Sequence, residues 1–367
     1  MMRSSTSEIG PHQWRTHPEA PSSNEAGATV QSGHRRQASV VDVAKLAGVS
    51  TQTVSRVLNG SRDVRGSTRE QVISAMKELG YRPNSAARAL KRGSFRTIGV
   101  ISPTLSSPGN MRTLEAIALQ AARRDFAVMI IPVEAPTQGG IRGAFSRVGE
   151  LAIDAVIAIT EAHLLDAAGV SLHPGVKVVV VDSDAGTRYT AVDTDQAYGA
   201  HQAVRHLLDL GHVTVWHVAG PAASLASERR SIAWRETLAA AGRPVPPIIH
   251  GDWSADSGYA AGIQLADQPG CTAVFAANDH MALGLLRAFQ ERGKAVPGDV
   301  SLVGFDDLPE TSSYAPPLTT VHQHFAAIGS ACVDNVLDQI RGNTSKPCVR
   351  LIQPRLVVRQ STAGPKR

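Results

Sequence analysis

Thr51, Gln52, Ser55, Arg56 and Asn59 occupy positions i, i+1, i+4, i+5 and i+8 of the stretch "SVVDVAKLAGVSTQTVSRVLNG", which is one face of a helix. Hydroxyls, amides and a guanidinium on one narrow face suit hydrogen bonding to base edges and phosphates. A second set of polar or small residues closes apolar runs: Ser102 after "IGVI", Asp182 after "VVVV", Gly220 after "WHVA", Asn278 and Asp279 after "VFAA", Asp306 and Asp307 after "LVGF". In open α/β sheets ligands sit beyond the carboxyl ends of strands, so these groups point to a cleft. Strand-end acids also cap helices, and each taken singly is open to that reading.

The first set needs two very short helices to present it. Apolar residues recur with helical period over 40–46, 53–58 and 72–79, whereas an isolated helix needs about three turns to persist. Gly48 falls where the first helix must stop, since glycine takes positive φ without a Cβ clash, and Ser50 then caps the second. Val43, Ala44, Leu46 and Val49 are expected to pack on Val54, Val57 and Leu58, with Val72, Ile73, Met76 and Leu79 lining a third helix. This predicts a helix-turn-helix; an αα-hairpin used only for packing has the same local pattern.

Beyond Thr97 apolar runs alternate with amphipathic stretches: "TIGVI", "FAVMII", "AVIAI", "VKVVVV", "VTVWHVAG", "PPIIHG", "TAVFAA" and "VSLVGF". Such alternation predicts an α/β fold of parallel sheets built from right-handed β-α-β units. Eight strands in about 210 residues exceed one compact domain, so two similar lobes in tandem are expected. Residues 1–37, rich in Ser, Pro, Gly and His, predict a disordered arm to which no chemistry is assigned.

The net charge of +5 is concentrated: residues 35–96 hold 13 Lys/Arg against 4 Asp/Glu, and the rest of the chain is net negative. A basic block of this kind suits a phosphate backbone, though a solvated surface has the same composition. Only 4% of the 367 residues are aromatic, so the cores must be filled mainly by Val, Ala, Leu and Ile. No run approaches the roughly 18 apolar residues of a membrane span, and residues 1–33 lack the apolar centre of a secretory signal, so a cytoplasmic protein without a membrane partner is expected. Cys271, Cys332 and Cys348 are odd in number and unsuited to a disulfide framework or a zinc knuckle. There is no G-x-G-x-x-G, Walker loop or G-x-S-x-G elbow, and His322 with His324 lack further ligands at metal spacing. No enzyme, cofactor or metal is expected.

The helix-turn-helix continues without a break into "RDVRGSTREQVISAMKELGYRPNSAARALKRG", and the whole segment resembles the headpiece of the lactose-repressor (LacI/GalR) family of transcription regulators. The resemblance implies a DNA-binding headpiece at 38–82, a hinge helix and linker at 83–96, and a two-lobed periplasmic-binding-protein-like core at 97–360 that also dimerises, with a tail at 361–367. The first lobe would take about 97–194 and 323–352, the second about 195–322 and 353–360. It implies base reading by Thr51, Gln52, Ser55 and Arg56, seating on the DNA backbone by Asn59 and Val64, and further DNA contacts from Val41 and Ala87. Leu90 matches the hinge leucine that wedges between central base pairs.

The segments "VDTDQAYGAHQAVRHLLDLGHVTVWHVAGP" and "TAVFAANDHMALGLLRAFQERGKAVPGDVSLVGFDDLPETSSYAPPLTTVHQ" look like the core of the same family. By that resemblance Arg230, Asn278 and Asp306 match effector hydrogen-bonding positions, Asp182 matches more weakly, and Trp253 and Phe325 match aromatic positions beside a sugar. The implied partners are a double-stranded operator, a sugar effector, for instance a β-galactoside, and a second copy of the chain. The stretch "ISPTLSSPGNMRT" departs from the lactose repressor where one end of the effector is normally met, which leaves the particular sugar open. "RLVVRQSTAGPKR" holds no leucine heptad of the kind that ties dimers into tetramers, so a homodimer is expected. An exported sugar-binding protein would share the core but has no use for the headpiece.

Overall fold

Two units divide the chain, one ending at Pro83 and the other beginning at Asn84. The computed structural model describes residues 38–61, 63–82, 93–102, 105, 107–133, 138–159, 176–181, 188–343 and 346–366. The expected arm at 1–37, the hinge residues Ala87 and Leu90, and Asp182 lie outside the described residues.

The first unit is three helices, α1 (Val40–Leu46), α2 (Thr51–Leu58) and α3 (Gly66–Glu78). Their interior is small: Val43, Val54 and Val72, one from each helix, are wholly buried, and Ala44, Val57 and Ala75 complete the core. Caps make up for length. The Ser39 hydroxyl accepts the Asp42 N–H while the Asp42 carboxylate accepts the Ser39 N–H at 2.8 Å, closing a capping box on α1. Gly48 sits at φ +63° between the helices, and Ser50 accepts the Thr53 N–H at 3.1 Å to start α2. Packing departs from expectation at Leu46, 44% exposed, and at Ile73 and Leu79, also exposed; Ala75 takes the inward place on α3. These helices are too short to bury more than one narrow stripe each.

The second unit holds two six-stranded sheets. In the first lobe β1 (Thr97–Ser102), β2 (Ala127–Pro132), β3 (Ala155–Ile159), β4 (Lys177–Val181), β5 (Thr190–Thr194) and β11 (Val349–Ile352) run in the order β11-β5-β4-β3-β1-β2, all parallel. Helices α4 (Pro108–Arg123), α5 (Gln138–Val148) and α10 (Phe325–Ile340) cover it. In the second lobe β6 (Trp216–Ala219), β7 (Ile249–His250), β8 (Ala273–Ala276), β9 (Ser301–Asp306), β10 (Thr319–His322) and β12 (Arg355–Val357) follow the order β12-β10-β9-β8-β6-β7, with β12 alone antiparallel. Its helices are α6 (Gln196–Asp209), α7 (Leu225–Ala240), α8 (Ala255–Ala266) and α9 (Asp279–Glu291).

All eight apolar runs form strands, and β5, β10, β11 and β12 join them. The chain passes between the sheets three times, after β5, after β10 and between β11 and β12. At one such passage the Asp195 N–H donates to the Ile352 carbonyl at 3.0 Å, so two passages lie side by side. The stretch beyond 360 is packed rather than loose: Ser361 is fully buried, accepting the Thr319 N–H and donating to the Leu302 carbonyl. Where the chain enters the core, Asp154 accepts from the Ser94 hydroxyl and from the Phe95 and Thr97 N–H groups. No helix among the described residues is long and apolar enough to cross a membrane.

Candidate functional site

On the headpiece, Thr51, Gln52, Arg56 and Asn59 are exposed along α2 and Ser55 is half-buried between them. The buried pair Val54 and Val57 turns this face outward, because both side chains are claimed by the three-helix core. Asn59 lies within 3.5 Å of the Ser55 hydroxyl. Val41, on α1, is 63% exposed, whereas Val64 packs half-buried against the headpiece core. The result is a compact donor and acceptor array on a helix whose backbone is fixed by Ser50, which is what base-edge readout requires.

In the core, the strand ends of the second lobe bring Arg230, Trp253, Asn278 and Asp306 together. Arg230, on α7, is 4% exposed; its Nε donates to Gln196 Oε1 at 2.9 Å, its Nη1 donates to the Ala277 carbonyl, and its guanidinium lies 3.7 Å above the Phe305 ring and 5.6 Å from the Trp253 ring. Asn278 caps α9 by accepting the Met281 N–H at 2.8 Å and donates to the Trp253 carbonyl at 3.0 Å, so a cap and a cleft residue are here the same side chain. The Trp253 indole lies directly over Gly220, where a Cβ would collide with it. That close approach is the reason for glycine after β6.

Backbone strain gathers at the same place. Trp253, Asp306 and Asp307 take φ values of +74°, +117° and +56°, a region that side chains other than glycine rarely enter. Asp306 is 3% exposed and accepts from Gln323 Nε2 at 2.7 Å. Behind it Asp279 is wholly buried, accepting the Thr320 hydroxyl at 2.5 Å and the Leu308 N–H at 2.9 Å. Burial, and then the negative charge of Asp306, push the Asp279 carboxyl well above the usual carboxylate range. Asp307 hydrogen-bonds to His322 at 2.8 Å and pairs with Arg359 at 2.6 Å.

Phe325 opens α10 and packs half-buried against the first-lobe core. Ser102, at the end of β1, is buried in that lobe. His322 and His324 meet edge to face at 4.7 Å, and among the described residues no group of three or more acids, histidines or cysteines could hold a metal. Sequence reasoning passed over Gln196, Gln323 and Asp193, all at most 6% exposed and all bonded to or beside the cleft groups. An amide in a short polar stretch carries no local signal of such a role.

Comparison with known proteins matches both units. Residues 39–84 match the family described as bacterial regulatory proteins, lacI family, and residues 204–362 match the periplasmic binding protein-like domain. The lactose operon repressor of Escherichia coli (strain K12) is 34% identical over 88% of this chain and 90% of its own length. The HTH-type transcriptional regulator CelR of Thermobifida fusca is 33% identical over 89% of this chain and 99% of its own length. The crystal structure of the lac repressor dimer bound to operator and the anti-inducer ONPF superimposes with a TM-score of 0.81 at 32% identity, covering 89% of this chain and all of that one. A CelR–cellobiose complex gives a TM-score of 0.65 at 30% identity over 88% of this chain and 99% of that one. With the helix-turn-helix, the paired parallel sheets and these relatives in agreement, the chain belongs to the lacI family of bacterial regulatory proteins, which are DNA-binding transcription regulators and not enzymes.

Proposed function

We propose that the protein is a cytoplasmic homodimeric repressor that holds a two-fold-related operator of roughly 16–20 base pairs and leaves it when a neutral, β-linked sugar enters the core cleft. The observation that carries the sugar reading is the set formed by Trp253, Arg230, Asn278 and Asp306: one flat apolar ring beside a guanidinium, an amide and a carboxylate. A sugar presents that pattern, an apolar ring face bordered by hydroxyls. Two relatives support it, the lac repressor dimer solved with operator and ONPF and the CelR–cellobiose complex. On the DNA side, Thr51, Gln52, Ser55 and Arg56 read bases, with Val41, Asn59, Val64, Ala87 and Leu90 as further contacts, and Asp182 and Phe325 complete the effector set.

The switch is a population shift. A sugar that prefers the released state a hundredfold biases it by about 2.7 kcal/mol per site, enough to tip a balanced dimer. Labelled operator complexes titrated with cellobiose, lactose and galactosides test the reading. Release of the parent by one of them, and an Asp306→Ala variant that binds operator normally yet stays bound at the same sugar concentration, is the expected result. Release by a purine or an amino acid, with no response to any sugar, overturns the sugar reading and leaves the repressor reading standing.

A further inference from the structure

We propose that Gln196 and Gln323 are positioning residues that tie the two charged groups of the cleft, Arg230 and Asp306, to the end of one first-lobe strand, β5. This rests on the reading of Arg230 and Asp306 as ligand contacts and adds how occupancy at them reaches the other lobe.

Strand β5 ends in Asp193 and Thr194, both 2% exposed. Each is bridged to the second lobe by one glutamine standing at a passage between the lobes. Gln196, the first residue of α6, places its Nε2 on Asp193 Oδ1 at 3.3 Å and its Oε1 under Arg230 Nε at 2.9 Å. Gln323, between β10 and α10, accepts the Thr194 hydroxyl at 2.6 Å and donates to Asp306 Oδ1 at 2.7 Å. A third link runs beside them: Arg229, next to Arg230 on α7, pairs with Asp193 at 2.7 Å.

The chemistry leaves little choice of side chain. A guanidinium only donates and a carboxylate only accepts, so each amide is held in one orientation, with Oε1 toward Arg230 in one case and Nε2 toward Asp306 in the other. Both glutamines are buried, at 4% and 6% exposure, where leaving either end unpaired is costly. A ligand oxygen that draws Arg230 or Asp306 toward itself therefore pulls on β5, the strand that hydrogen-bonds both β4 and β11. These are contiguous polar links of the kind that carry coupling between two arrangements of packed lobes.

The test uses the full-length chain. Gln323→Met and Thr194→Val cut the same link from opposite lobes, and Gln323→Glu sets a second carboxylate against Asp306. Without sugar, hydrogen–deuterium exchange across residues 190–198 is expected to rise about tenfold in all three, with β8 and α9 unchanged. With cellobiose and lactose as probes, the sugar Kd is expected to stay within about threefold of the parent while the concentration that releases operator rises about tenfold or more. Unchanged exchange across 190–198 in both Gln323→Met and Thr194→Val overturns the proposal. So does a loss of sugar affinity that accounts for all of the lost release, since that is what mere local support of Asp306 gives. If neither sugar affects the parent, the sugar reading falls and the exchange measurement alone decides the link.

Discussion

The two lobes share a doubly wound six-stranded sheet and differ in what fills it. Around Ile98, Val100, Ile117, Ile157 and Val192 one face of the first-lobe sheet is filled by aliphatic side chains, and on the other face Phe145 is the single buried ring among the described residues. In the second lobe, Trp234, Phe275, Phe289 and Phe305 are wholly buried, and Arg230, His217 and Asp279 are buried with them. Among the described residues the first lobe buries one charged side chain, Asp193, and that one stands at a passage to its neighbour. Flat rings explain the contrast. A guanidinium laid 3.7 Å over Phe305 keeps its in-plane donors for Gln196 and Ala277 while the ring covers its face, and branched aliphatic side chains offer no such surface.

The largest expected effect comes from removing the ring system itself. Trp234 is fully buried and donates its Nε1–H to the Val215 carbonyl at 2.8 Å, so Trp234→Ala is expected to cost about 3–5 kcal/mol in chemical denaturation. A cost near 1 kcal/mol would show that the aromatic interior is dispensable.

Acid sharpens the comparison next. His217 is wholly buried, stacked on Phe275 at 4.8 Å, with Nδ1 donating to the Phe275 carbonyl and Nε2 accepting from Ser231; burial pulls its pKa from the ordinary 6.5 down to about 4. Between those values the unfolded chain takes up a proton that the folded chain refuses. Stability from this group is therefore full above about pH 6.5 and is lost as pH falls toward 4, by about 3 kcal/mol in all. In His217→Asn, whose amide mimics Nδ1–H and does not titrate, melting followed from pH 7 to pH 4 should show a distinctly shallower decline. An unchanged slope would place the acid sensitivity elsewhere. The smallest effect belongs to the aliphatic lobe: Ile157→Val, a methylene lost among like neighbours, should cost about 0.5–1.5 kcal/mol by the same denaturation measurement.

Elements with a strong local period were legible in the amino-acid order. The headpiece helices announce themselves through Gly48, Ser50 and a valine on each helix, and the eight apolar runs through length and composition. The four strands that were not seen, "TAVDT", "TTVH", "VRLI" and "RLV", are short and carry Thr, Asp, His or Arg, because they lie at sheet edges or run into the passages between lobes, where polar neighbours are available. Asn278 and Asp306 were legible from their places at the ends of apolar runs, whereas Arg230, inside a helix, was legible only through resemblance to a family. Gln323 was not legible at all, since its partner Thr194 is 129 residues away and no local pattern records a contact of that separation.

The threefold passage of the chain between the sheets has a consequence for synthesis. Helix α10, whose Ile328, Ala331, Cys332, Val333, Val336 and Leu337 complete one face of the first-lobe core, and strand β11, which adds the edge beside β5, both follow the whole run from β6 to β10 in the chain. A ribosome that has finished residues 97–194 has therefore made a sheet with an open edge and an aliphatic face that α4 covers only in part. The usual order, in which the amino-terminal domain folds while the rest is still being made, is unavailable to this lobe. It must wait as a nascent intermediate, exposed to chaperones, until its neighbour has been translated, while the headpiece, whose three helices lie within the 39 residues from Val40 to Glu78, is free to fold as soon as it leaves the exit tunnel.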